Sequence, residues 1–118
     1  MSAPEDARTT RTLRDIGQFG RYAAELVSRG RAAYDQDLML QLAAEAIILR
    51  VGEAVSRLDP AFVAAHPAVP FRQAKGIRNL IAHEYHIVDP NVVWGVLENR
   101  MPALCRQIDE IIGRGPDL

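Results

Sequence analysis

Apolar residues recur at three- and four-residue steps along most of this chain. Leu13, Ile16, Phe19, Gly20, Ala23, Leu26 and Val27 form the first such series, the spacing of one apolar helix face, and they predict a helix from Thr9 to about Arg29. Gly30 closes it, as glycine does just beyond a helix C-terminus. From Asp35 or Asp37 to Leu58 the apolar set widens: Leu38, Met39, Leu42, Ala43, Ala46, Ile47, Leu49, Val51, Ala54, Val55 and Leu58 cover most of a helix's girth. Such a helix is buried on two sides. One side is the domain core; the other is either a subunit interface or a deeper place in a bundle. Gly52, Ala54 and Ser56 are small enough to let a neighbouring helix approach. Asp59-Pro60 ends the segment, because the residue before a proline is pushed out of helical geometry.

Residues 61–69, small-rich and broken by Pro67, predict at most a single turn. Pro70 suits the first turn of a third long helix, where its missing N–H costs nothing, and Phe71, Ala74, Ile77, Leu80 and Ile81 supply that helix's apolar face. Fraying is expected from His83 to Tyr85. Asp89 as N-cap and Pro90 at the first helical position open a fourth helix, which Val92, Val93, Val96, Leu97, Met101, Leu104, Ile108, Ile111 and Ile112 carry to Gly113. Pro102 lies inside it and predicts a kink or a break. No strand alternation and no internal repeat is present. The expectation is an all-α, up-and-down bundle of four to five helices over residues 9–113, with a disordered tail at 1–8 and another tail at 114–118.

Composition narrows the class of protein. A chain of 118 residues buries about two-thirds of its unfolded surface, enough for one core. Cys105 is the only cysteine, so no internal disulfide forms and a reducing compartment fits. Met1 to Asp6 carry acids and a proline where a secretory leader needs basic and then apolar residues, and no apolar run approaches membrane-spanning length. A cytoplasmic protein away from the membrane is expected. The formal net charge of -1 gives no support for a long nucleic-acid groove, so any phosphate chemistry is local. Thirteen of the fourteen basic residues are arginine, whose forks match phosphate oxygens, although codon usage explains that bias equally well.

Chemistry concentrates in one place. Arg78, Asn79, His83, Glu84, Tyr85 and His86 fall between an apolar helix face and a capped helix start. At about 100° per residue Asn79 and His83 share a face, whereas Arg78 and His83 stand roughly 140° apart. Both can aim at one phosphate only if the helix ends near His83 or the long arginine curls round. RNA cleavage without metal needs a base for the 2′-hydroxyl, an acid for the leaving oxygen and positive charge on the phosphorane. A histidine and an arginine can provide these. His83 and Arg78 are therefore the catalytic candidates, with Asn79 orienting phosphate or ribose and Tyr85 stacking or donating. The plainer alternative is capping or surface pairing. A metal site is not expected: His83 and His86 are three apart, whereas the metalloprotease pattern needs four with glutamate between. No phosphate loop, serine elbow or cysteine–histidine pair is present. Cys105 and Trp94 sit on apolar patterns and read as core, and His66 as a solvated loop residue.

Arg78, His83 and Tyr85 fit Arg-x4-His-x-Tyr, with Asn79 directly after the arginine, and this resembles the signature of the HEPN superfamily, in particular its HepT-like ribonuclease toxins. Val51-Gly52-Glu53-Ala54, Val69-Pro70-Phe71-Arg72, Val88-Asp89 and Val93-Trp94 flank the motif in the matching order. The resemblance implies a homodimer with the motif at the dimer cleft, a cofactor-free endoribonuclease that cuts RNA through the 2′-hydroxyl, and Arg78 and His83 as its catalytic residues. It also implies a partner, a minimal nucleotidyltransferase antitoxin that binds the toxin or adds AMP to Tyr85. An adenylyl group there would put negative charge where an RNA phosphate should sit. Glu84 departs a little from the pattern, and its charge would favour protonated His83 while repelling RNA. The competing function is a non-catalytic helical module that binds a nucleotide or a partner through Arg78 and Tyr85.

Overall fold

Aspartates set three of the helix starts. Asp37 accepts a hydrogen bond from the Met39 amide at 2.9 Å, Asp59 from Ala61 at 2.9 Å and Asp89 from Asn91 at 2.8 Å, each meeting an amide that the first helical turn leaves unpaired. In the computed structural model, which describes residues 3–84 and 88–113 (without the side chains of residues 3–6 and 84), these caps open α3 (Leu38–Ser56), α4 (Pro60–Ala65) and α6 (Pro90–Gly95). Ahead of them lie α1 (Ala3–Val27) and α2 (Arg31–Gln36); α5 is Phe71–Glu84, and α7 is Met101–Gly113. No strand occurs among the described residues, and the fold is all-α. None of its helices is long and apolar enough to cross a membrane.

The expected elements are present with three corrections. The first helix begins at Ala3 rather than Thr9, since Pro4 is compatible with a first helical turn. A short helix, α2, occupies a segment with too little apolar periodicity to predict it, and it buries Tyr34. The segment after Asp59 forms α4, and His66 at its end is half-buried, its ring tilted against Phe62 at 4.5 Å, rather than solvated. The interruption expected at Pro102 takes the form of a wide turn just before it, and the helix runs on to Gly113. Residues Val96–Arg100 form a π turn between α6 and α7, and the Met101 amide donates to the Val96 carbonyl five residues back. A wide turn relieves the clash that a proline ring makes with the carbonyl four residues earlier. Residues 114–118 lie outside the described residues.

The bundle is built around α3, which packs on α1 and α5, while α1 also packs on the π turn and α7. Leu13 and Ile16, Ile48 and Val51, Phe71 and Ile81, Leu97, Leu104 and Ile108 meet in one core. Trp94 belongs to it, tilted against the Tyr34 ring at 5.0 Å. Cys105 is half-buried and so close to Gly20 that a Cβ on that glycine would collide with its sulfur. The two-sided apolar surface of α3 is only half satisfied within the chain. Its core side is closed, but Leu38, Met39 and Leu42 remain 65%, 72% and 49% exposed.

Candidate active site

The polar cluster begins with how α5 is held. The Pro70 carbonyl accepts from Ala74 at 3.2 Å and starts the helix. Phe71 and Ile81, 1% and 2% exposed, then fasten one face of it to the core. The opposite face must point outward, and Arg72, Lys75, Gly76, Asn79 and His83 are all exposed on it. The helix continues through Glu84, so His83 is held in helical backbone at its last turn. Tyr85 and His86 lie outside the described residues, as does the Glu84 side chain.

Arg78 shares the core-facing side with Phe71 and Ile81, seven residues after the one and three before the other. Its stem lies against Gly52 of α3 so closely that a Cβ at that glycine would come within 3.0 Å of both the Cβ and the Cγ of Arg78. From there Arg78 Nη1 donates to Asn79 Oδ1 at 3.0 Å. Asn79 stands one turn before His83 on the same face, so this bond ties the guanidinium to the amide that precedes the histidine. Arg78 Nε is buried without a hydrogen-bond partner, so the side chain is held by packing and by Asn79 alone. His83 has no side-chain hydrogen bond or ion pair among the described residues, which leaves its imidazole open to a ligand.

Beyond the cluster the chain is fixed again at α6. There the Tyr34 hydroxyl donates to the Pro90 carbonyl at 2.9 Å, and Arg31 bonds to Asn91 while lying over the Trp94 ring. Arg31 also pairs with Asp35 at 2.8 Å. Burial pushes the Tyr34 phenol above its usual value, with Glu45 adding to the shift, which suits a structural hydrogen bond rather than proton transfer near neutrality. Among the described residues no three His, Cys, Asp or Glu side chains gather as metal ligands would.

From the predicted set, Arg78 and Asn79 are in contact, and His83 stands one turn beyond Asn79 on its face. Gly52, read from the sequence as a place where a neighbouring helix could approach, is the seat of Arg78, while α2 as the clasp on α6 escaped prediction. Gly52 left a readable trace, since a glycine inside an otherwise apolar helix usually has a packing reason.

The fold and the cluster define a class: a small helical domain that presents a cation, an amide and an imidazole on the last two turns of one helix. The sequence model of the family described as "Ribonuclease HepT-like" matches residues 4–111, and the chain belongs to that family. It is 34% identical over 62 residues to a protein named "Putative RNase" from Caldanaerobacter subterraneus subsp. tengcongensis, a match covering 52% of this chain and 55% of that one. A protein of the same name from Methanocaldococcus jannaschii is 31% identical over 62 residues, 52% of this chain and 51% of its own length. "Probable ribonuclease HepT" from Thermococcus cleftensis is 28% identical over 61 residues, covering 52% and 56%. The matched stretch thus spans about half the length of these curated relatives. No solved structure matches the chain.

Proposed function

We propose that the protein is the toxin of a toxin–antitoxin pair, an endoribonuclease that needs no metal and cuts RNA by attack of the 2′-hydroxyl on the adjacent phosphate. The observation that carries this reading is the Arg78–Asn79 hydrogen bond, which ties a fixed positive charge to the residue one turn before an unpartnered His83 on the same helix face. In the reaction His83 takes the 2′-hydroxyl proton or gives one to the departing 5′-oxygen, and Arg78 neutralises the charge that develops on the phosphorane. Asn79 keeps the guanidinium aimed and contacts phosphate or ribose. Tyr85 contacts the substrate and is the residue that a nucleotidyltransferase antitoxin modifies with AMP.

The second catalytic imidazole comes from a second copy of the chain. Leu38, Met39 and Leu42 on α3 and Leu80 on α5 are exposed apolar residues on the two helices that carry Gly52 and Arg78. Covering them in a two-fold dimer brings two such clusters together, each supplying groups to one cleft.

The test is cleavage of a structured RNA with chelator present, comparing wild type with His83→Ala and identifying the product ends. Products ending in 2′,3′-cyclic phosphate, formed by wild type and not by the variant, are expected. Cleavage by the variant at the wild-type rate removes His83 from the mechanism. RNA left intact by dimeric, unmodified wild type points to a binding module instead.

A further inference from the structure

We propose that the cleft between α4 and the first turns of α5 holds the RNA strand flanking the cleaved bond, with Arg72 and Lys75 on its phosphates. This rests on the ribonuclease reading above and extends it to a substrate-binding track that the motif does not contain.

The cleft encloses about 830 Å³, within the usual range for ligand-binding pockets. Arg72, Lys75 and His66 line it, and no aspartate or glutamate does. That is an uneven distribution in a chain with fifteen acidic residues against fourteen basic ones. Neither Arg72 nor Lys75 makes an ion pair or a side-chain hydrogen bond among the described residues, and both are exposed. Two unpaired cations facing a carboxylate-free cleft match an anion, and a chain of phosphates is the anion that the neighbouring cluster would act on. The other walls are apolar, from Val55, Leu58 and Val63, and the His66 ring, seated on Phe62, offers a flat surface to a base.

The cleft is also in line with the cluster. On an ideal helix Arg72, Gly76, Asn79 and His83 lie within about 60° of one another, and Arg72 precedes His83 by about 16 Å along the axis. With a rise of about 3.4 Å per nucleotide along the axis of a stacked strand, that distance spans roughly five nucleotides. Between them stands Gly76, where nothing lies within 4 Å of the position a Cβ would take. A strand can therefore run along α5 from the cleft to His83 without meeting a side chain at that turn.

The test compares Arg72→Ala/Lys75→Ala with a control, Arg14→Ala/Arg29→Ala, which removes the same charge from exposed positions on and just beyond α1. Cleavage is followed on an RNA of about ten nucleotides and on a dinucleotide, with chelator present. RNA affinity is measured against salt with both double variants placed in a His83→Ala background. The cleft variant should raise KM for the longer RNA about ten-fold, leave its kcat and dinucleotide cleavage unchanged, and flatten the salt slope by roughly 1.4, or about 0.7 for each phosphate no longer neutralised. The control should do none of these. If wild type cleaves RNA and the cleft variant keeps its KM and salt slope, the track is overturned while the ribonuclease stands. If both double variants weaken binding equally, net charge explains the effect and the track is again overturned. If wild type leaves RNA intact, the ribonuclease reading fails and the track fails with it.

Discussion

Replacing Gly52 with alanine tests whether the arginine's seat matters to function. The new methyl group would stand within 3.0 Å of Arg78 Cβ and Cγ, a separation real side chains essentially never show. Rotating the arginine cannot relieve this fully, because its Cβ moves only with the α5 backbone. The helices must part until the carbons reach their preferred separation of about 3.5–4.0 Å, a shift on the order of 1 Å. Overpacking of this kind costs about 1–3 kcal/mol, offset by about 1 kcal/mol from alanine's better helix propensity. The fold should therefore survive with a melting temperature lower by no more than roughly 10 °C. Activity should suffer far more, since a displacement of about 1 Å in a positioned group can lower the rate about 100-fold. Single-turnover cleavage on folded protein measures this, and adding Arg78→Ala to the Gly52→Ala chain should then cost little more, as expected of coupled neighbours. Gly20→Ala, which crowds Cys105 at the α1–α7 contact, should lower stability but leave the rate per folded molecule unchanged. Wild-type rates from folded Gly52→Ala, or full additivity with Arg78→Ala, would refute the reasoning.

Two further outcomes follow from the clasp between α2 and α6 and from the helix beside it. Tyr34→Phe removes the hydroxyl that bonds the Pro90 carbonyl and should cost about 1 kcal/mol, read as a shift in the denaturation midpoint at constant slope. Burial raises the Glu45 carboxyl above its ordinary value, so the folded chain holds that proton more tightly than the unfolded chain does. The stabilisation this gives is complete below the unfolded value of about 4.3 and is lost as the pH rises through the higher folded value. Glu45→Gln should therefore melt higher than wild type at pH 7, with the gap closing toward pH 4; a gap that stays constant with pH would contradict this.

The long helices were legible because each repeats one apolar spacing over many turns, and several begin at an aspartate cap. Asp89 could be read directly as a cap and Asp37 as one of two candidates, whereas Asp59 reads in the sequence as the end of one helix and proves to cap the next. In α2 the six residues offer Tyr34 as the only large apolar side chain, so no period exists to detect, and the partner that explains it, Trp94, is distant in sequence. The cluster was legible for the opposite reason: Arg78, Asn79 and His83 are contiguous enough that one helix places them. What spacing could not decide was the direction of the arginine, which depends on Gly52 in another helix and on a side-chain bond to Asn79. The exposure of Leu38, Met39 and Leu42 answers the question left open for the second side of α3 only as far as one chain can.

The π turn ties the length of the last helix to its proline. Before the turn, α6 packs on α3 and sets Trp94 against α2; after it, α7 packs on α1. A π turn holds one residue more than an α turn. Glu98, Asn99 and Arg100 are exposed on that turn, so many substitutions there should pass unnoticed. Deleting any one of them would turn the wide turn into an ordinary α turn and leave Leu104 and Ile108, both buried, on the same face, but would bring the Pro102 ring back against the carbonyl four residues earlier. Homologous chains are thus expected to vary freely in residue identity at this turn and to lose one residue between Trp94 and Leu104 only where Pro102 is replaced as well.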